Sequence, residues 1–224
     1  MPSKSANQAL RHEPLKEKQR GLRDGFSTEL TLRVHRGLSW YGRACSEQDD
    51  VDVRFILLWI AFNATYASDL DVGGGNDREK FRLFFKTLVE LDRDDRIYAL
   101  VWSRFSNEIR LLLDNRYVFA PFWAHQNRVP GNEDWEERLA RAKRAVRKAI
   151  AAHDTPTILS ILFDRLYVLR NQLIHGGATW CSKVNRDQVR DGAAILSNLV
   201  PIFIDIMMDN PQHPWGMPFY PVVE

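Results

Sequence analysis

The residues best equipped for chemistry lie in the run Leu166-Tyr-Val-Leu-Arg170-Asn171-Gln-Leu-Ile-His175-Gly-Gly. On a helix, Asn171 and His175 are four apart and stack on one face. Arg170 stands on the adjoining row with a side chain long enough to reach the same spot. A fixed cation, an amide and a titratable imidazole then fall within about one helical turn. A guanidinium can grip two oxygens of an anion at once, and an imidazole can take or give a proton. His175 also sits in the last turn before a glycine break. The negative end of the helix dipole there attracts an imidazolium, and Arg170 repels it. The set suits acid–base catalysis.

Spacing alone does not single this run out. With 23 Arg and six His in 224 residues, about two matches to an arginine followed by four to six residues and a histidine arise by chance. Two occur, the second being Arg147 with His153. Context separates them. The 170–175 pair has Asn directly after the Arg, the apolar stripe Leu162, Leu166, Leu169 and Leu173 before it, and Gly-Gly after it.

The elements that must position this run read as helices throughout. Leu30, Val34, Leu38, Tyr41 and Cys45 recur at three and four, which predicts a helix over 30–45, with Gly37 and Gly42 as weak points. Asp49, Asp50 and Asp52 mark a helix start, and 51–67 is apolar almost all round, as in the middle of a bundle. The glycines at 73–75 have neither the spacing nor the preceding strand of a phosphate cradle, so 71–77 is a plain loop. Helices are predicted over 78–91, 96–113, 133–153, 155–175 with Thr155 as N-cap and Pro156 at its first position, and 186–209 with a capping box at Asn185–Gln188 and a kink at Pro201. The aromatic stretch 115–123 reads as a capping loop. No stretch alternates as a strand. The expected fold is all-α, six or seven helices in a single bundle-like domain over 28–209. A basic flexible arm (1–27) precedes it, and a Pro-rich tail (210–224) follows.

Composition narrows the classes. The chain is 45% hydrophobic and 11% aromatic with a net charge of +2, which is globular and not disordered. The arm holds six basic and three acidic groups, so its +3 leaves the rest at −1. A near-neutral body argues against coating nucleic acid over the whole surface, but not against a local basic pocket. The longest apolar run, 55–62, is too short to span a bilayer, no secretory leader is evident, and no membrane partner is expected. Cys45 and Cys181 fit no metal-ligand or disulfide pattern and read as free thiols, consistent with a cytoplasmic location. No metal site and no cofactor is expected.

Further candidates are spread along the chain. The predicted helix 133–153 carries Arg138, Arg141, Arg144, Arg147 and Lys148 on its polar side. Arg141, Arg144 and Lys148 could track a nucleic-acid backbone, although a solvated face is the plainer reading. Trp180, just past the glycines, could stack a base or cover a dimer seam. Asn63 interrupts an apolar stretch and, with Tyr66, could fix a helix contact or support the cleft.

Arg170-Asn171-Gln-Leu-Ile-His175 resembles the Rx4-6H motif of the HEPN superfamily. Upstream, Asp52-Val-Arg-Phe-Ile-Leu-Leu-Trp-Ile-Ala-Phe-Asn63-Ala-Thr-Tyr66 and Asn115-Arg-Tyr-Val-Phe-Ala-Pro-Phe-Trp123 are similar to blocks of its Apea-like branch, in the same order. The resemblance spans about residues 30–205. It implies an all-α homodimer and a metal-independent endoribonuclease whose cleft both protomers share, with Arg170, His175 and Asn171 as its working residues. It also implies a setting in prokaryotic antiviral defence or toxin–antitoxin systems, with a nucleotidyltransferase-type antitoxin as a possible partner. Some members only bind RNA or a partner, and that alternative stays open.

Overall fold

The computed structural model describes residues 10–66, 77–183, 185–218 and 220–222. The glycine loop expected at 71–77 falls, except for its last residue, outside the described residues. Ten α-helices are found among those described: α1 (His12–Leu22), α2 (Thr28–Ser46), α3 (Val51–Tyr66), α4 (Asp77–Leu91), α5 (Arg96–Ala99), α6 (Ser106–Asp114), α7 (Ala120–Gln126), α8 (Trp135–Ala151), α9 (Thr155–Ile174) and α10 (Arg186–Asp209). The all-α class holds, but the expected six or seven helices become ten. The excess comes from a helical arm, a helix broken in two and a short helix in the aromatic stretch. By their contacts the described residues fall into two compact units: 10–66, 77, 91–94, 189–218 and 220–222 form one, and 78–90, 95–183 and 185–188 the other.

In the first unit, α2 pairs with α3, and α10 supplies much of the core. Ser27 caps α2 by accepting from Leu30 N–H at 3.2 Å. The predicted acidic start of α3 is realised by Asp50, whose carboxylate accepts from the N–H groups of Asp52 and Val53. Leu30, Val34 and Leu38 of α2, Phe55, Leu58 and Phe62 of α3, and Leu199, Phe203 and Met207 of α10 are all buried. Gly37 is where these helices close on one another. A Cβ there would lie 3.3 Å from both Thr65 Cγ2 of α3 and Ile204 Cδ1 of α10. By length and composition α10 could cross a membrane, a longer apolar stretch than residues 55–62. Its most apolar window is 78% buried, which makes it a core helix here.

The arm does not fray over 12–22. Leu15 and Gln19 of α1 are buried, and Lys18 Nζ reaches Asp205 and Asp209 of α10, each at 2.6 Å. Leu15 and Gln19 are the buried residues of α1, too little periodicity to read from sequence. His12 lies against Gly42, where a Cβ would fall 2.5 Å from His12 Nε2. Gly42→Ala is therefore expected to destabilise the docked α1 by about 1 kcal/mol, because the part-exposed His12 ring must swing aside. In a His12→Ala background the clash is gone. The same substitution should then stabilise by about 0.5–1 kcal/mol, the helix-propensity gain of alanine over glycine. Urea unfolding of the four proteins of this cycle reads the change of sign.

Tyr41 and Cys45 occupy adjacent turns of α2. The Tyr41 hydroxyl donates to Leu10 O at 3.2 Å. Burial pushes its phenol above the usual range, and the Cys45 thiol beside it adds to the shift. Burial of its sulfur likewise raises the Cys45 thiol, although the residue keeps some solvent access. A raised acid loses its proton less readily folded than unfolded, so Tyr41's contribution is complete below about pH 10 and fades above it. The thiolate is the reactive form. Carboxymethylation of Cys45 at pH 8 should accordingly run severalfold slower in the native chain than in urea, as peptide mapping would show.

In the second unit α9 is the central helix, packed against α6 and α8. Phe163 packs at a tilt against Phe81 and Phe85 of α4, with centroids 6.4 and 4.7 Å away. Asp154 caps α9, not Thr155. Its carboxylate accepts from Thr157 N–H at 3.1 Å and from the Thr157 hydroxyl at 2.7 Å. Thr155 is instead buried, its hydroxyl accepting from the Trp102 indole at 2.9 Å. The helix expected over 96–113 is interrupted. Residues Leu100–Arg104 form a π-turn closed by Phe105 N–H bonding Leu100 O at 2.9 Å, and α6 begins afterwards.

Candidate active site

Burial round most of α9 leaves one open stripe near its C-terminal end. Leu162, Leu166 and Leu169 are buried, Leu173 half-buried, and Tyr167 and Ile174 are 49% and 46% exposed. Arg170 and Asn171 lie on the half-open flank between them. Arg170 Nη1 donates to Asn171 Oδ1 at 2.9 Å, so the amide oxygen orients the guanidinium. Arg170 Nε is enclosed and makes no hydrogen bond among the described residues.

His175 is the C-cap, one residue beyond the last helical position, with its N–H bonded to Asn171 O at 3.0 Å. The expected helix end at His175 and break at Gly176–Gly177 are both found. Gly176 takes φ +69°, and Gly177 N–H bonds Gln172 O at 2.7 Å while Gly176 N–H bonds Leu173 O. This pairing is a Schellman close, which needs a left-handed residue and so favours glycine at 176. It turns the chain away and leaves the His175 side chain exposed.

The aromatic stretch is not a loop but a 3-10 turn (Arg116–Val118) followed by α7. Pro121 sits in the first turn of α7, where its missing N–H costs nothing. Gln172 fastens this stretch to the end of α9. Its amide donates to Tyr117 O at 2.6 Å, and its oxygen accepts from Asn185 Nδ2 at 2.8 Å. Asn185 adopts φ +59°, not the extended form of the predicted N-cap. The Trp123 indole also donates to Tyr117 O, and the buried Arg165 guanidinium lies 4.5 Å over the Phe119 ring. Arg165 carries no sequence signal as a site residue, Gln172 only its position inside the 170–175 run, and Asn185 shows one only as a helix cap.

The structure therefore brings two separated stretches, 115–123 and 170–175, into one unit. Trp180 follows them and is 74% exposed, and Arg141, Arg144 and Lys148 are exposed on α8. Asn63 and Tyr66 lie on α3 of the other unit, half-buried, with the Tyr66 ring stacked on Phe62 at 5.5 Å. Among the described residues no group of three or more His, Cys, Asp or Glu side chains could hold a metal ion. Neither Cys45 nor Cys181 forms a disulfide. Compared with protein-family models, curated proteins and solved structures, the chain gives no match.

Proposed function

We propose that this chain is an endoribonuclease of the HEPN type, acting as a homodimer without a metal ion. The observation that carries the reading is the Arg170–Asn171 hydrogen bond at 2.9 Å on the flank of α9 that ends in the exposed C-cap His175. RNA carries its own nucleophile. His175 of one protomer takes the proton of a 2′-OH, whose oxygen attacks the adjacent phosphorus. The bond to the 5′-oxygen breaks, and His175 of the second protomer protonates that leaving group. The products are a 2′,3′-cyclic phosphate and a 5′-hydroxyl. Arg170 holds the phosphate bidentately and offsets the charge growing on its oxygens. Asn171 keeps the guanidinium in place, and Gln172 seats the 115–123 segment beside it. A role in prokaryotic defence, or as the toxin of an antitoxin-silenced pair, fits such an activity.

The test is cleavage of RNA in EDTA by the native chain, with end-group analysis of the products. Cyclic phosphate ends that vanish with His175→Ala and with Arg170→Ala support the proposal. Cleavage that needs Mg²⁺, or that survives both substitutions, overturns it. RNA binding without any cleavage would favour the non-catalytic binding module.

A further inference from the structure

We infer that the second unit carries an additional RNA contact, a base-stacking platform made of Tyr98, Trp102 and His153 and flanked by the cations of α8. This rests on RNA being the ligand. The platform is built by two unusual pieces of backbone. The π-turn at 100–104 carries Trp102, whose indole is fixed by its bond to Thr155. His153 stands at φ +50° in the α8–α9 turn, which sets its ring 4.8 Å from Trp102 and 6.2 Å from Tyr98, nearly parallel to the latter at 21°. Tyr98 is 42% exposed and His153 is exposed. Neither ring is needed to fill the core, and π-turns recur at functional positions.

Charge supplies the second half. Arg144, Arg147 and Lys148 are exposed in the last turns of α8, leading directly to His153. Arg147 also lines a groove of about 360 Å³ with Arg110 and Lys143, over a floor that includes Leu113, Val146 and Ile150. Of the groove's charged groups, the one carboxylate is Asp114, which Lys143 engages at 3.1 Å. Clustered rings beside a run of cations suit a single strand, whose bases stack and whose phosphates pair. An acidic peptide would use the cations and leave the rings idle. The Arg147/His153 spacing is thus a chance match to the other motif that nonetheless marks a binding surface.

The platform abuts the first residue of α9, and Arg170 and His175 lie at its other end. A helix of 20 residues is about 30 Å long, so a stacked strand needs about nine nucleotides to touch both, at roughly 3.4 Å each. Strand length should therefore matter. A 16-nucleotide oligouridylate is expected to bind the His175→Ala chain about tenfold tighter than it binds the same chain carrying Tyr98→Ala and His153→Ala, as measured by fluorescence anisotropy. The ring-keeping pair Tyr98→Phe and His153→Tyr should retain binding. In the otherwise native chain, the alanine pair should raise KM for the 16-mer with kcat within about twofold, and leave cleavage of a 4-mer unchanged.

Unchanged 16-mer binding in the alanine pair overturns the inference, as does equal loss in the ring-keeping pair. Polyglutamate displacing the 16-mer through the same residues would also overturn it, in favour of an acidic protein partner. His175-dependent cleavage that ignores the platform variants sinks the inference and spares the nuclease. Platform-dependent binding without any cleavage does the reverse. No 16-mer binding at all sinks the inference.

Discussion

His175→Ala is expected to lower RNA cleavage by at least about a thousandfold with the fold unchanged. General acid–base transfer by a positioned imidazole contributes about 10²–10⁴-fold. In a shared cleft the single substitution removes the base from one side and the acid from the other. The side chain is exposed beyond the end of α9, so its loss leaves no cavity. The backbone N–H that closes onto Asn171 O is untouched. Thermal unfolding should therefore coincide with that of the native chain. Arg170→Ala should cost about 10²–10³-fold, the scale of one lost charge-stabilising donor. Arg170→Lys should recover little, because an ammonium cannot reproduce the two-pronged grip. Asn171→Ala separates positioning from chemistry. It frees Arg170 Nη1 from its 2.9 Å partner, so about tenfold should be lost, mostly in KM. Activity at native level in His175→Ala, with the dimer intact, would remove the basis for the nuclease.

Much of this site was legible in the chain because its determinants are local. Three- and four-residue spacing found α9, a glycine pair fixed its end, and the acidic cluster before α3 fixed a beginning. Position 154 shows the limit. Asp154 and Thr155 both suit an N-cap, and the choice was made by Trp102, 53 residues away, which claims the Thr155 hydroxyl. The glycines tell the same story. Gly37 and Gly42 look like weak points of α2, yet each is a place of close approach, by α10 and α3 at one and by His12 at the other. The π-turn has no sequence signature at all: residues 96–113 keep helical periodicity, and only the bond from Phe105 to Leu100 reveals the extra residue. Gln172 reads as a polar helix residue until Tyr117 and Asn185 meet it. Local pattern gave the long helices but not α1 or α7, and tertiary contacts set the caps, breaks and fasteners.

Arg33→Met should destabilise the first unit by about 3–5 kcal/mol, the cost of removing a buried guanidinium that holds three backbone carbonyls. Arg33 is fully buried in α2. Its guanidinium donates to Thr65 O at 2.9 Å, Gly216 O at 3.1 Å and Met217 O at 2.7 Å. Thr65 lies in the last turn of α3, where a carbonyl has no partner within its own helix. Gly216 adopts φ +76°, a left-handed step in the strap formed by the tail. The Pro-rich tail is thus held by its backbone over its described residues, with help from the Trp215 indole donating to Asn210 O and Arg36 donating to Tyr220 O. Methionine fills the volume but donates nothing, leaving the buried Thr65 carbonyl and the two part-buried tail carbonyls without their donor, at about 1–3 kcal/mol for each that water cannot reach. Arg36→Ala, at a bond open to solvent, should cost under about 1 kcal/mol. Deleting 211–224 removes the other half of the same contact, so the deletion and Arg33→Met should fall well short of additive in urea unfolding. Full additivity would mean that Arg33 and the tail stabilise the unit independently, contrary to the bonds that join them.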